Sequence, residues 1–116
     1  GRLFLAAFVL ALASVHLPTL AQGQDGTAGI LLSQCTNSVL SARETCATFI
    51  LQSIARNRTA PEPAYCLPAS AILGDLRARF IAWGQTQTPP ALGAPADDGL
   101  ATALAEAFPC PLTQSG

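Results

Sequence analysis

Four cysteines restrict how this chain of 116 residues can fold more than any other feature of its sequence. An even number of cysteines in a short exported chain is typical of a disulfide framework. Free buried thiols are one alternative to that framework. A zinc site is less favoured, because the sequence has no C-x-x-C pair and its only histidine is His16. The four residues are Cys35, Cys46, Cys66 and Cys110.

The first 21 residues have the layout of a secretory signal peptide. Arg2 supplies a positive charge, an apolar run follows over residues 3–13, and Pro18 ends it before the small residue Ala21. The alternative is a membrane anchor, but a spanning helix needs about 20 apolar residues, more than this run contains. We therefore expect a cleaved signal over residues 1–21 and an exported mature protein.

The expected mature chain is weakly acidic. Without its first 21 residues it carries five arginines, seven acidic residues and no lysine, for a net charge of −2. No basic stripe is available to neutralise phosphates, so nucleic acid is not an expected partner. No polybasic segment favours a membrane surface after signal cleavage either. Residues 22–27 should form a flexible lead, and residues 28–112 a single helical domain.

Hydrophobic periodicity predicts helices and no strands, because apolar residues recur at helical spacing and never alternate with a period of two. The predicted helices start near Thr27 and then span about 39–56, 71–85 and 96–107. Ser70 is the expected N-cap of the third helix. Residues 86–95 should be irregular, since three prolines and a glycine interrupt them. The predicted fold is all-α, a small bundle of about four helices stapled by two disulfides.

A turn signal at Thr36-Asn37-Ser38 bears on how the cysteines pair. On one straight helix, Cys35 and Cys46 would lie about 16 Å apart. A disulfide tolerates Cα distances of only about 4.4–6.8 Å. If the chain turns back between them, they can bond, and we favour Cys35–Cys46 together with Cys66–Cys110. The alternative is one long helix in which each of the first two cysteines bonds a later partner.

Two motifs in the second half of the chain resemble the Rap/Tai family of periplasmic immunity proteins. They are Tyr-Cys-Leu-Pro at residues 65–68 and Ala-Leu-Ala-Glu-Ala-Phe-Pro-Cys at residues 103–110. The family shows an aromatic-Cys-hydrophobic-Pro motif and an Ala-Leu-x-x-Ala-Phe-Pro-Cys motif. In the first half only the arrangement is similar, because Thr48 and Phe49 stand where the family shows Gly-Tyr. The resemblance spans roughly residues 28–110.

The resemblance implies a function. Members of that family protect bacteria from peptidoglycan amidases that type VI secretion delivers. By this likeness the chain would be periplasmic, would bind a cognate amidase effector without catalysis or a cofactor, and could form a homodimer. Partner contact is then expected at the connection between the third and fourth helices, through Gln85, Gln87 and Leu92. The alternative is that this segment only connects two helices.

Two further functions compete with immunity. One is a carrier of small apolar ligands, whose pocket would be lined by the aromatic residues Phe49, Phe80, Trp83 and Phe108. The alternative for these residues is that they fill the core of a small domain.

The other competing function is catalysis. No histidine remains after signal cleavage to act as a general base, and paired cysteines provide no thiolate. The adjacent carboxylates Asp97 and Asp98 are typical of a helix start, where the helix dipole favours negative charge. We expect neither catalytic residues nor metal ligands.

Overall fold

The computed structural model describes residues 26–112, so the predicted signal peptide lies outside the described residues. Within that range there are five helices and no named strand, apart from one isolated bridge between Thr27 and Pro95. The all-α prediction is confirmed. No helix in this range has the length and apolar character needed to cross a membrane. The helices are α1 (Ala28–Thr36), α2 (Leu40–Thr59), α3 (Leu73–Gln85), α4 (Pro89–Leu92) and α5 (Ala96–Ala107).

Helices α1 and α2 form a hairpin because the predicted turn ends the first helix. The Thr27 side chain caps α1 by accepting a hydrogen bond from the Ile30 amide at 3.2 Å. At the other end, the Asn37 side chain accepts a hydrogen bond from the Val39 amide at 2.7 Å, which turns the chain. The fold-back brings the Cα atoms of Cys35 and Cys46 to 5.0 Å, and they are bonded.

The second predicted disulfide is also present. Cys66 and Cys110 are bonded, with their Cα atoms 4.8 Å apart. A backbone hydrogen bond of 2.9 Å from the Cys66 amide to the Phe108 carbonyl lies beside it. The bond ties the segment before α3 to the chain after α5. Both favoured pairings are therefore confirmed.

The predicted start of the third helix is wrong. Ser70 is not the N-cap, because α3 begins at Leu73 after Ile72, which caps nothing with its side chain. The Ala71 amide instead donates to the Pro68 carbonyl at 3.0 Å, so Ser70 lies within a turn. The negative charge of Asp75 in the first turn of α3 supplies a favourable interaction with the helix dipole.

The prediction that residues 86–95 lack regular structure is also wrong, because they contain the single turn α4. Pro89 and Pro90 occupy the first two helical positions, where a missing amide hydrogen costs nothing. Two backbone hydrogen bonds join the flanks of this segment to the start of α1. The Ala28 amide donates to the Ala94 carbonyl at 2.8 Å, and the Ala96 amide to the Gly26 carbonyl at 3.0 Å.

The core lies where α1, α2, α3 and α5 meet. All four helices contribute buried side chains, and the first disulfide is part of the core. Aromatic residues extend it, since the rings of Phe80 and Trp83 stack with their centroids 5.9 Å apart. The largest fully buried side chains are Phe80, Ile50, Leu100, Leu104 and Cys46.

Candidate functional site

The predicted contact residues lie together at the end of α3 and on α4, but they differ in how freely they are presented. Gln85 is exposed. Gln87 is half-buried, and its side-chain amide donates to the Trp83 carbonyl at 3.1 Å, closing the end of α3. Leu92 is half-buried against Gly29 of α1. Gln85 is therefore the member of this set whose side chain is most available to a partner.

A first groove runs between α1 and α2, with a volume of ≈ 630 Å³. Its apolar part is formed by Leu31, half-buried Phe49 and Ile30, which is 53% exposed. Glu44 is the only charged residue that lines it, and the remaining rim carries hydroxyl and amide groups. We call this surface the α1–α2 groove. The rim residues are Gln34, Ser41, Thr45, Thr48 and Gln52.

A second groove of ≈ 470 Å³ lies on the other side of α2, where residues 63–76 cross it. Leu51, 53% exposed, stands at its edge, and Arg58 is the only charged residue in its lining. The opposite wall contains the half-buried side chains of Leu67 and Leu73. We call it the Arg58 groove. It is a mostly apolar channel with a single positive charge.

The side chain of Asn57, on α2, fixes the start of the segment of residues 63–76. The amide nitrogen of Asn57 donates to the Tyr65 carbonyl at 2.8 Å, and its oxygen accepts from the Ala64 amide at 2.8 Å. These two hydrogen bonds satisfy backbone groups that no helix pairs. Asn57 therefore fixes the wall of the Arg58 groove against the helix that forms its floor.

A polar cluster joins α2 to α5. Asp97 accepts hydrogen bonds from buried Ser53 and, at 2.9 and 3.1 Å, from the guanidinium of Arg56. The Arg56 and Asp97 side chains are 56% and 51% exposed, so their ion pair is largely in water. Asp97 is thus engaged in structure rather than paired with Asp98.

The Tyr65 ring is buried in the core beside this cluster, and its hydroxyl has no hydrogen-bond partner among the described residues. Burial is the main cause that raises the pKa of the Tyr65 hydroxyl, and the negative charge of Asp97 adds to it. Arg56 and Arg58 act in the opposite direction. A neutral phenol is therefore favoured in the folded chain.

Over residues 26–112, no three Asp, Glu, Cys or His side chains form a group that could hold a metal ion. The aromatic residues of the carrier hypothesis are mostly used in packing: Phe80 is fully buried against Trp83, and Phe108 lies under the guanidinium of Arg79, 5.1 Å from its ring centre. What remains on the surface is a set of grooves suited to contact with another molecule.

The chain matches the family model of the Rap1a immunity proteins over residues 27–110. The chain belongs to the Rap1a immunity protein family. This confirms the family resemblance seen in residues 65–68 and 103–110. No curated protein and no solved structure matches the chain.

In this Rap1a immunity protein the matched residues contain all five helices of the described region and both disulfides. Membership implies that the protein binds an effector partner. The two motifs that carry the resemblance have structural roles. Tyr65 fills the core, Cys66 bonds Cys110, and Pro109 follows the end of α5.

Three features of this Rap1a immunity protein escaped sequence reasoning: the polar cluster, the Asn57 bridge and the Arg58 groove. Ser53 and Asp97 are 44 residues apart in the chain, and no local pattern indicates that they meet. Asn57 offered a weak signal, because an asparagine at a helix end before prolines often bonds the backbone. The groove depends on where residues 63–76 cross α2, which only the structure reveals.

Proposed function

We propose that this chain is an exported, non-catalytic immunity protein that neutralises a peptidoglycan amidase effector by binding it. The observation that carries the proposal is the match to the Rap1a immunity proteins over residues 27–110. The amidase as target comes from the resemblance of residues 65–68 and 103–110 to the Rap/Tai proteins. A block of helices stapled at two places suits this role, because a rigid surface loses little entropy on binding.

A periplasmic location fits the same proposal. Both disulfides are of the kind that form and persist in oxidising compartments. An amidase that cuts the cell wall acts outside the cytoplasm, so its inhibitor must be exported to meet it. Residues 1–21, proposed as the signal peptide, would provide that export.

The surface formed by the end of α3 and by α4 is the proposed contact with the effector. Gln85 is its most available side chain, whereas Gln87 and Leu92 also support the fold. Gln85→Arg should weaken effector binding without changing stability. Thr102→Arg, at an exposed position of α5, is the matched control and should leave binding unchanged. Equal binding by both variants would remove this surface from the proposal.

Protection of living cells tests the function itself. A bacterial host would export a peptidoglycan amidase effector from the source organism to its periplasm, with and without this chain. The full chain should prevent lysis. A version that lacks residues 1–21, and so stays in the cytoplasm, should not. Lysis despite export of the folded, disulfide-bonded chain would contradict the proposal.

Two associated properties are open to direct measurement. The family resemblance implies a possible homodimer, and sedimentation equilibrium of the mature protein would give its mass. The carrier hypothesis finds its best support in the ≈ 470 Å³ Arg58 groove, which is mostly apolar. Titration with a fluorescent lipid probe separates the two functions, because a carrier should show saturable binding and an immunity protein should not.

A further inference from the structure

The Arg58 groove combines an exposed leucine with an arginine that forms no ion pair with any described residue. Leu51 is 53% exposed at its edge, and half-buried Leu67 and Leu73 form the opposite wall. Large apolar side chains held in water next to a concave surface are typical of contact sites. The α1–α2 groove differs, since hydroxyl and amide groups dominate its rim.

Charge distinguishes the Arg58 groove further. Arg58 is exposed and forms no ion pair with any described residue, whereas Arg56, two positions earlier on α2, is paired with Asp97. No carboxylate lines the groove. The mature chain as a whole is acidic, so an unpaired guanidinium at an apolar channel marks this place as complementary to a negative group.

We propose that the Arg58 groove binds a segment of the effector that presents an apolar side chain next to a carboxylate. The apolar side chain would lie between Leu51 and the wall formed by Leu67 and Leu73. The carboxylate would accept hydrogen bonds from the Arg58 guanidinium, whose planar fork matches it. This inference rests on the proposed function, because it names the chemistry of the partner.

The geometry of the groove suits an extended segment of protein. Its floor is helix α2, and its wall runs from the non-helical residues 63–71 into the start of α3, with Ala64 and Tyr65 fixed to Asn57 by two hydrogen bonds, so the channel exists before a partner arrives. Specific binding sites are usually preformed and mostly apolar, with a few polar or charged groups that fix the orientation of the ligand. A small anion has no apolar part that could pack against Leu51.

A peptide titration tests the groove by itself. The probe is acetyl-Ala-Leu-Glu-Leu-Ala-amide, compared with peptides in which Gln or Lys replaces the Glu. Amide chemical shifts of the mature, oxidised protein should change saturably around Leu51, Arg58 and Leu67. The Gln peptide should bind about fivefold more weakly, as expected for loss of an ion pair at an exposed arginine, and the Lys peptide more weakly still. Equal binding of all three, or no saturable shifts, overturns the proposal.

Matched variants locate the binding. Arg58→Gln should remove the preference for the Glu peptide, whereas Arg43→Gln, at another exposed arginine of α2, should preserve it. Leu51→Ser should weaken all the peptides, whereas Ile30→Ser, at a residue of the same 53% exposure in the α1–α2 groove, should weaken none. Equal effects within either pair would contradict the assignment.

Inhibition of the amidase separates this inference from the proposed function. If the native protein fails to inhibit, the immunity function is wrong, whatever the peptides do. If it inhibits and Arg58→Gln and Leu51→Ser inhibit as well as Arg43→Gln and Ile30→Ser, the function stands and the Arg58 groove is not the docking site. The inference requires that Arg58→Gln and Leu51→Ser both weaken inhibition, Arg58→Gln by about two- to fivefold, as expected for loss of an exposed ion pair.

Discussion

Gly99 of α5 lies so close to Ala28 of α1 that a methyl group on Gly99 would come within 2.6 Å of the Ala28 Cβ. The same methyl group would lie 3.4 Å from the ring of Trp83. Neither Ala28 Cβ nor the backbone that carries it can move without displacing a helix. This contact sets the distance between α1 and α5, and it needs a residue without a side chain.

Gly99→Ala should therefore destabilise the protein. The added methyl group must push α1 away from α5, and overpacking of this kind costs about 1–3 kcal/mol. Urea unfolding of the oxidised mature protein, followed by circular dichroism, would measure the loss. A variant as stable as the parent would show that the two helices are not packed as described.

Gly74→Ala is the control, and its expected effect has the opposite sign. Nothing lies within 4 Å of the position a methyl group would take at Gly74, near the start of α3. Alanine there should stabilise the protein by up to about 1 kcal/mol, because it restricts the unfolded chain and favours the helix. The same urea experiment measures both variants.

The two disulfides should differ in their sensitivity to reductants. Cys35 and Cys46 are 3% and 0% exposed, whereas Cys66 is exposed and Cys110 half-buried. Thiol–disulfide exchange requires access to sulfur, so the second bond should open first. Brief treatment with dithiothreitol, alkylation and peptide mass spectrometry should find label on Cys66 and Cys110 before the other pair. Simultaneous labelling would contradict this order.

Loss of both disulfides should unfold the chain. The chain-entropy model assigns about 4 kcal/mol to the bond that closes the longer loop and about 3 kcal/mol to the shorter one. A domain of this size has a net stability of only about 5–15 kcal/mol. Complete reduction should abolish the cooperative thermal transition seen by circular dichroism. Unchanged helicity and melting after full reduction would show that the core alone holds the fold.

Tyr65 should make stability fall in alkaline solution. Since burial and Asp97 raise the pKa of its hydroxyl in the folded chain, the unfolded chain loses this proton first as pH rises. The contribution is constant below the ordinary tyrosine pKa of about 10, and the free energy of unfolding decreases as pH rises above it. Tyr65→Phe should lack that decrease.

A direct titration checks the same prediction. Tyr65 is the only tyrosine and all four cysteines are bonded, so the absorbance change near 295 nm reports ionisation of one group. Its midpoint in the native protein should exceed the midpoint in concentrated guanidinium chloride. Coincident midpoints would mean that the hydroxyl is in contact with water in the folded state.

Asp97→Ala should be more harmful than Arg56→Ala. Removing Asp97 leaves the buried Ser53 hydroxyl without its acceptor, which costs about 1–3 kcal/mol. Removing Arg56 breaks an ion pair between side chains that are more than half exposed, which costs at most about 1 kcal/mol. Urea unfolding of both single variants and the double variant would separate the contribution of the Ser53–Asp97 hydrogen bond from that of the Arg56–Asp97 ion pair. Equal losses would contradict the role given to Ser53.

Much of this fold could be predicted because its determinants are local. The turn at residues 36–38 could be predicted from its short polar side chains, and that turn favoured the correct pairing of Cys35 with Cys46. The buried face of α2 also follows from the local sequence, because Cys46, Ile50 and Ile54 recur at helical spacing. All three are buried.

The wrong predictions arose where contacts with residues distant in sequence determine the local structure. Serine is a common N-cap residue, but Ser70 lies in the turn that the hydrogen bond from the Ala71 amide to the Pro68 carbonyl closes. Pro89 and Pro90 were interpreted as helix breakers, although they occupy the first two positions of α4, where proline favours the start of a helix. The candidate surfaces were the least predictable part, since a groove is a relation between segments far apart in sequence.

Inhibition of a purified peptidoglycan amidase effector from the source organism tests most directly whether this chain neutralises such an enzyme. The oxidised mature protein would be titrated into the enzyme while the release of cell-wall peptides is followed. Amidase activity should fall linearly to zero at a fixed stoichiometric ratio. After reduction and alkylation, the protein should no longer inhibit the enzyme. Full amidase activity in the presence of excess oxidised protein would contradict it.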